Sequence, residues 1–216
     1  MASTTEIANR ALLKLGDSTI LALTDNSKGA RTINGMFNIV RDAELRRHNW
    51  NFAIRRSSIP ALAAAPDWGY QYQFPLPSDY LKLVQVNDYY IRPTNKSRPP
   101  WRLEGGVILT DMPAPLKIRY VSRVENTGLW DAMFVECMAC KLAFEACEAI
   151  TQTSTKKQMA SDEYKVALSE AIRCSSIENP PDEYPAGTWL ESREGYGAGT
   201  LNDLGTLYTQ TGAVIY

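Results

Sequence analysis

The 216-residue chain contains one histidine, four cysteines and no excess of charge of either sign. Lys plus Arg number 23 and Asp plus Glu 24, for a net charge of −1 and a pI near 5.9. A dedicated nucleic-acid binder draws its affinity from a basic excess, which the chain as a whole does not have; a local patch stays open. No apolar run reaches the ~20 residues of a membrane span. The first residues, "MASTTEIANRALLKLG", lack the basic start and apolar stretch of a secretory signal. The expectation is a soluble protein made in a cytoplasm with its cysteines reduced. The sequence has no phosphate-loop, dinucleotide, nucleophile-elbow or HExxH motif. The glycine-rich "EGYGAG" at 194–199 precedes no helical pattern and is not a phosphate loop.

What is present is an ordinary globular composition, with 22% charged residues, and folding of a 24.1 kDa chain buries roughly 70% of its unfolded surface. A core can therefore form without metals or disulfides. Ser3 and Glu6 have capping-box spacing, and Ile7, Ala8, Ala11, Leu12 and Leu15 recur at helical period until Gly16. A second helix is predicted after Ser27, with Ala30, Ile33, Phe37 and Val40 on its apolar stripe, running to about Arg47.

The period then changes to two. Trp50, Phe52 and Ile54 alternate with Asn51, Ala53 and Arg55, which reads as a strand. Short aromatic and β-branched segments follow to about Val124: "YQYQF", "YLKLVQV", "YYIR", "GVILT" and "LKIRYV". Prolines separate them, and Gly105-Gly106 is placed for a hairpin turn. Five to seven strands are expected. Helical spacing returns at Leu129, where Trp130, Met133, Phe134, Cys137, Met138, Cys140, Phe144 and Cys147 cover most of a circumference, as in a buried helix. After a turn at "TSTKKQ", a fourth helix carries Tyr164, Leu168, Ala171, Ile172 and Ser175 on one face. The expected fold is α+β: a four-helix bundle (1–49 and 128–176) with an antiparallel β unit (50–127) inserted between helices two and three. From Ile177 the chain has glycines at 187, 195, 197, 199, 205 and 212, with Tyr184, Trp189, Tyr196, Tyr208 and Tyr216 among them. This segment, 177–216, reads as an extended arm that orders on a partner.

The stretch "RDAELRRHNWNFAIRR" (41–56) holds five arginines and the single histidine. It admits three readings: a nucleic-acid helix, an active site around His48, or a joint. A general base needs a nucleophile and an orienting acid, and Glu44 one turn earlier is also ordinary helix pairing. Arg41, Arg46 and Arg47 complement the helix dipole, or with Arg55 and Arg56 meet a protein interface or DNA. The joint reading is the most economical, with Trp50, Asn51 and Phe52 forming the corner. Cys137-Met-Ala-Cys140 is formally a CxxC, but its setting is a core helix, where cysteine is a small hydrophobe.

Four pieces, "NRALLKLG" (9–16), "KGAR" (28–31), the 41–56 stretch and "YQFPLPSDYLKLVQV" (72–86), stand in the order seen in the head-to-tail adaptors of short-tailed bacteriophages. These proteins are also called tail tubular protein A or connector proteins. The chain resembles that family over about residues 5–125; beyond them the second helix pair is similar in pattern and the tail in character. The resemblance implies a structural virion protein with no catalytic, cofactor or metal site. It would form a ring, commonly of twelve copies, under the portal protein at the head–tail junction. The ring would continue the channel for viral DNA and carry the tail or nozzle protein, with the C-terminal arm lying along the portal. Near-zero net charge suits a channel through which DNA must slide. Two other classes stay open: a sequence-independent DNA-binding module using the five arginines, and a tail-associated hydrolase around His48.

Overall fold

Four helices and seven short strands follow one another in the predicted order in the computed structural model, which describes residues 2–87, 89–90 and 101–178. Helix α1 (Thr4–Leu15) starts with the full capping box, Ser3 and Glu6 each bonding the other's main chain, and ends on Gly16 in the left-handed region (φ 76°). Asn9 holds the following loop by bonding both main-chain groups of Ile20, at 2.9 and 2.7 Å. Helix α2 (Lys28–Arg47) is capped by Ser27. Its Gly29 lies where an added Cβ would meet the buried Leu12 side chain at 2.8 Å, so glycine lets the start of α2 approach α1.

Between α2 and α3 (Ala132–Thr151) lies the β unit, built of β1 (Ile54–Ile59), β2 (Tyr72–Pro75), β3 (Tyr80–Val86), β4 (Tyr89–Tyr90), β5 (Trp101–Glu104), β6 (Val107–Thr110) and β7 (Leu116–Ser122). The strands form two antiparallel sheets, ordered β1-β7-β3-β4 and β2-β6-β5. Gly105 and Gly106 make the β5–β6 turn, both at positive φ, as a two-residue hairpin with the right twist requires. Phe74 and Ile108 of the smaller sheet pack against Leu83, Val86, Leu116, Ile118 and Tyr120 of the larger. The opposite face of the larger sheet supplies Leu81, Val84 and Val121 to the bundle core. The four-stranded sheet is thus covered on both sides, and Leu83 and Val84 face different cores.

Helix α3 packs against α1, α2 and α4 (Ser154–Glu178). This explains its nearly all-round apolar surface: Phe134, Cys137, Met138, Cys140, Leu142 and Cys147 are all buried.

Four boundaries differ from the sequence reading. The strand does not begin at Trp50; residues Asn51–Ala53 form a 3₁₀ turn and β1 starts at Ile54. The segment's polar groups go to the helices and to its own turn instead of to a ladder: the Trp50 indole bonds the Glu44 main chain, the Asn51 amide bonds the Ser175 main chain, and the Ala53 N–H donates to the Trp50 oxygen. Leu129 closes a second 3₁₀ turn, Thr127–Leu129, and α3 begins only after Asp131 caps Met133 and Phe134. The α3–α4 turn needs just Gln152, in the left-handed region, and Thr153, so "STKKQ" is already helical. Ile177 and Glu178 belong to α4, so the expected arm starts after them; the rest of it, with Tyr184, Trp189, Tyr196, Tyr208 and Tyr216, lies outside the described residues.

Candidate functional site: the arginine-rich corner

The 41–56 stretch folds the last two turns of α2, the 3₁₀ turn and the start of β1 into one corner. The Trp50 indole N–H donates to the Glu44 main-chain oxygen at 2.9 Å, which satisfies a carbonyl the helix end would leave open. The Asn51 amide donates to the Ser175 main-chain oxygen at 2.8 Å and fixes the corner to the end of α4. Phe52 is half-buried, its ring 5.0 Å from that of Phe134.

Sequence reasoning placed the corner at Trp50, Asn51 and Phe52 but missed its partner. Trp130, where the chain returns to the bundle, repeats the Trp50 arrangement: its indole donates to the Val124 main-chain oxygen at 3.0 Å, six residues back as for Trp50. The two indole rings meet Phe134 edge-on, at 4.9 and 5.1 Å. Tryptophan at both changes of sequence period was the available signal.

The arginines do not act as a set. Arg41 is 7% exposed and donates to Asp42, which also accepts from Arg123 just after β7. Arg46 donates to the Leu81 main-chain oxygen of β3. Arg47 pairs at 3.2 Å with Glu44 and lies over the Tyr164 ring. Arg55 pairs at 3.1 Å with Asp79, whose other oxygen accepts the Tyr120 hydroxyl. Arg56 is exposed on β1 and has no ion-pair partner among the described residues.

Glu44 has a fully buried carboxylate, on which the Tyr164 hydroxyl donates to both oxygens at 2.9 Å. Burial and the neighbouring Glu44 charge push the Tyr164 hydroxyl's pKa well up, so it stays a donor. Lys141 sits over the Phe144 and Tyr164 rings at 5.2 and 5.1 Å. The group is a satisfied ionic lock across α2, α3 and α4.

His48 meets the Trp50 ring edge-on at 5.0 Å, and no carboxylate or hydroxyl is hydrogen-bonded to it among the described residues. Burial, then the Lys82 charge, lowers its pKa. Among the described residues, the nucleophile and orienting acid that a general base requires are not hydrogen-bonded to it.

Cys137 and Cys140 are buried, and burial raises their thiols to about 12 and about 11. Cys140 does lie with Glu136 and Glu163 in a triplet of ligand type. Both carboxylates are already engaged, Glu136 by Arg10 and Lys14 and Glu163 by Lys14, so the triplet is an ion-pair network joining α1, α3 and α4. A cation there would have to displace Lys14.

No helix among the described residues is long and apolar enough to cross a membrane. The sequence matches no protein-family model and no curated protein.

Proposed function

We propose that the protein is a structural adaptor of the head–tail junction of a short-tailed bacteriophage, forming a ring under the portal that continues the DNA channel and carries the tail. One observation carries the reading: the residues on which the sequence resemblance rests are the ones that build joints. Asn9 clamps the α1–α2 loop, Gly16 ends α1, and Gly29 lets α2 approach it. Trp50 and Asn51 fix the corner, and Asp79 ties β3 to Arg55 and Tyr120. A motif set that specifies how helices and an inserted sheet are joined belongs to an architectural part.

The outer helix faces support self-association. Because α3 occupies the centre, α1, α2 and α4 pack their inner faces on it and leave Leu13, Ile39, Met159 and Val166 exposed, Ile39 at 74%. Large apolar side chains of this kind are what a ring of copies would cover. Gold-labelled antibody against the protein, imaged on intact virions, tests the reading: label at the tail vertex supports it, and label on the capsid faces or free tail fibres overturns it.

A further inference from the structure

Net charge conceals a partition along the chain. Residues 54–124, the β unit, hold ten Lys and Arg against five Asp and Glu, whereas the remainder holds thirteen against nineteen. Part of this excess converges. Register places Arg56 of β1 opposite Arg119 of β7, and Arg119 opposite Gln85 of β3. One rung further along, Ser58 stands opposite Lys117, whose main-chain N–H donates to the Asn87 side chain at 3.0 Å. Adjacent strands lie ~4.8 Å apart and alternate residues share a face, so these side chains form one polar field. Val121, one rung in the other direction, is buried in the bundle core; the same sheet face runs from under the helices into the open.

There it floors a groove of about 750 Å³, walled by the Met112–Pro115 segment. Among the described residues no Asp, Glu or aromatic lines it. Arg56 and Lys117 are exposed and form no ion pair among the described residues. Burial, then the Arg56 charge, lowers the Arg119 pKa.

We propose that this groove is a contact for the phosphate backbone of duplex DNA. The cations call for a polyanion, and the choice of duplex rests on the adaptor reading. With two or three cations the contact is weak and salt-sensitive, so DNA still slides.

The test is fluorescence anisotropy of a labelled duplex of about 20 bp with the full chain, from about 50 mM to about 200 mM salt. Wild type should bind. Arg56→Ala/Lys117→Ala should bind about tenfold or more weakly at low salt and lower the log–log salt slope by about 2. Arg31→Ala/Arg173→Ala, which removes the same charge from exposed helix positions, should bind within about twofold of wild type, with thermal melts confirming that all three proteins fold. No binding by wild type, equal losses in both double variants, or displacement by polyglutamate as effective as by unlabelled duplex would each overturn the proposal. An Arg56→Ala/Lys117→Ala protein that still joins portal particles shows this proposal and the adaptor reading failing or standing separately.

Discussion

Trp50 and Trp130 stand at the two points where the chain leaves and rejoins the helical bundle, and their indole rings close on the same residue, Phe134, from two sides. Each also returns its N–H to a main-chain oxygen six residues earlier. The inserted β unit is therefore held at its root by one aromatic clasp, and Phe37 stacks on Trp130 behind it at 6.4 Å.

Truncating a large buried aromatic typically costs about 3–5 kcal/mol, and Trp50→Ala and Trp130→Ala should each fall in that range by urea or thermal unfolding. Because both act through Phe134, the double variant should lose less than the sum of the two. An unchanged melting temperature for Trp50→Ala would contradict the clasp.

Tyr164→Phe leaves the buried Glu44 carboxylate with Arg47 alone among its described partners. The expected loss is about 1–3 kcal/mol, the desolvation penalty of a buried acceptor group stripped of its donor. Glu44→Gln introduced into Tyr164→Phe should recover part of it, since a neutral amide is less costly to bury; equilibrium unfolding of the four proteins measures the coupling.

His48 contributes a pH dependence of definite sign. Its folded pKa lies below the ordinary 6.5, so the unfolded chain binds the proton more readily. The stability this neutral histidine supplies is present above about pH 6.5 and is lost as pH falls through the unfolded value towards the folded one. Melting temperatures from pH 8 to about pH 5 should fall less steeply for His48→Asn than for wild type. A steeper fall would reverse the assignment.

Thiol reactivity separates a core CxxC from a reactive one. Cys137, Cys140 and Cys147 are buried and Cys174 is half-buried. Under native conditions a thiol reagent at neutral pH should label Cys174 fastest and the other three only as the protein opens; in denaturant all four should react at once. Rapid native labelling of Cys137 or Cys140 would show that α3 is not the central helix.

Much of this architecture could be read from the chain. The caps of α1 and α2, the Gly105-Gly106 hairpin and the buried character of α3 follow from local rules, and each matches the structure. What escaped was set by distant partners. Trp50 and Phe52 looked like residues of a strand, whereas Asn51–Ala53 form a 3₁₀ turn that the Ser175 carbonyl, more than 120 positions later, holds through Asn51. The arginines of the 41–56 stretch looked like a group, whereas Asp42, Glu44, Asp79 and the Leu81 carbonyl divide them among separate duties. Arg56 lines a groove, and the register that sets it against Arg119 is not visible in either strand alone.

The adaptor reading meets its most direct test in particle mass. Purified protein should have the mass of a monomer or small species on its own. Mixed with portal particles, it should add mass equal to a ring of copies, about twelve if the resemblance extends to stoichiometry. Removal of residues 179–216 should abolish the added mass. Portal particles that gain no mass from the full-length protein would contradict the account.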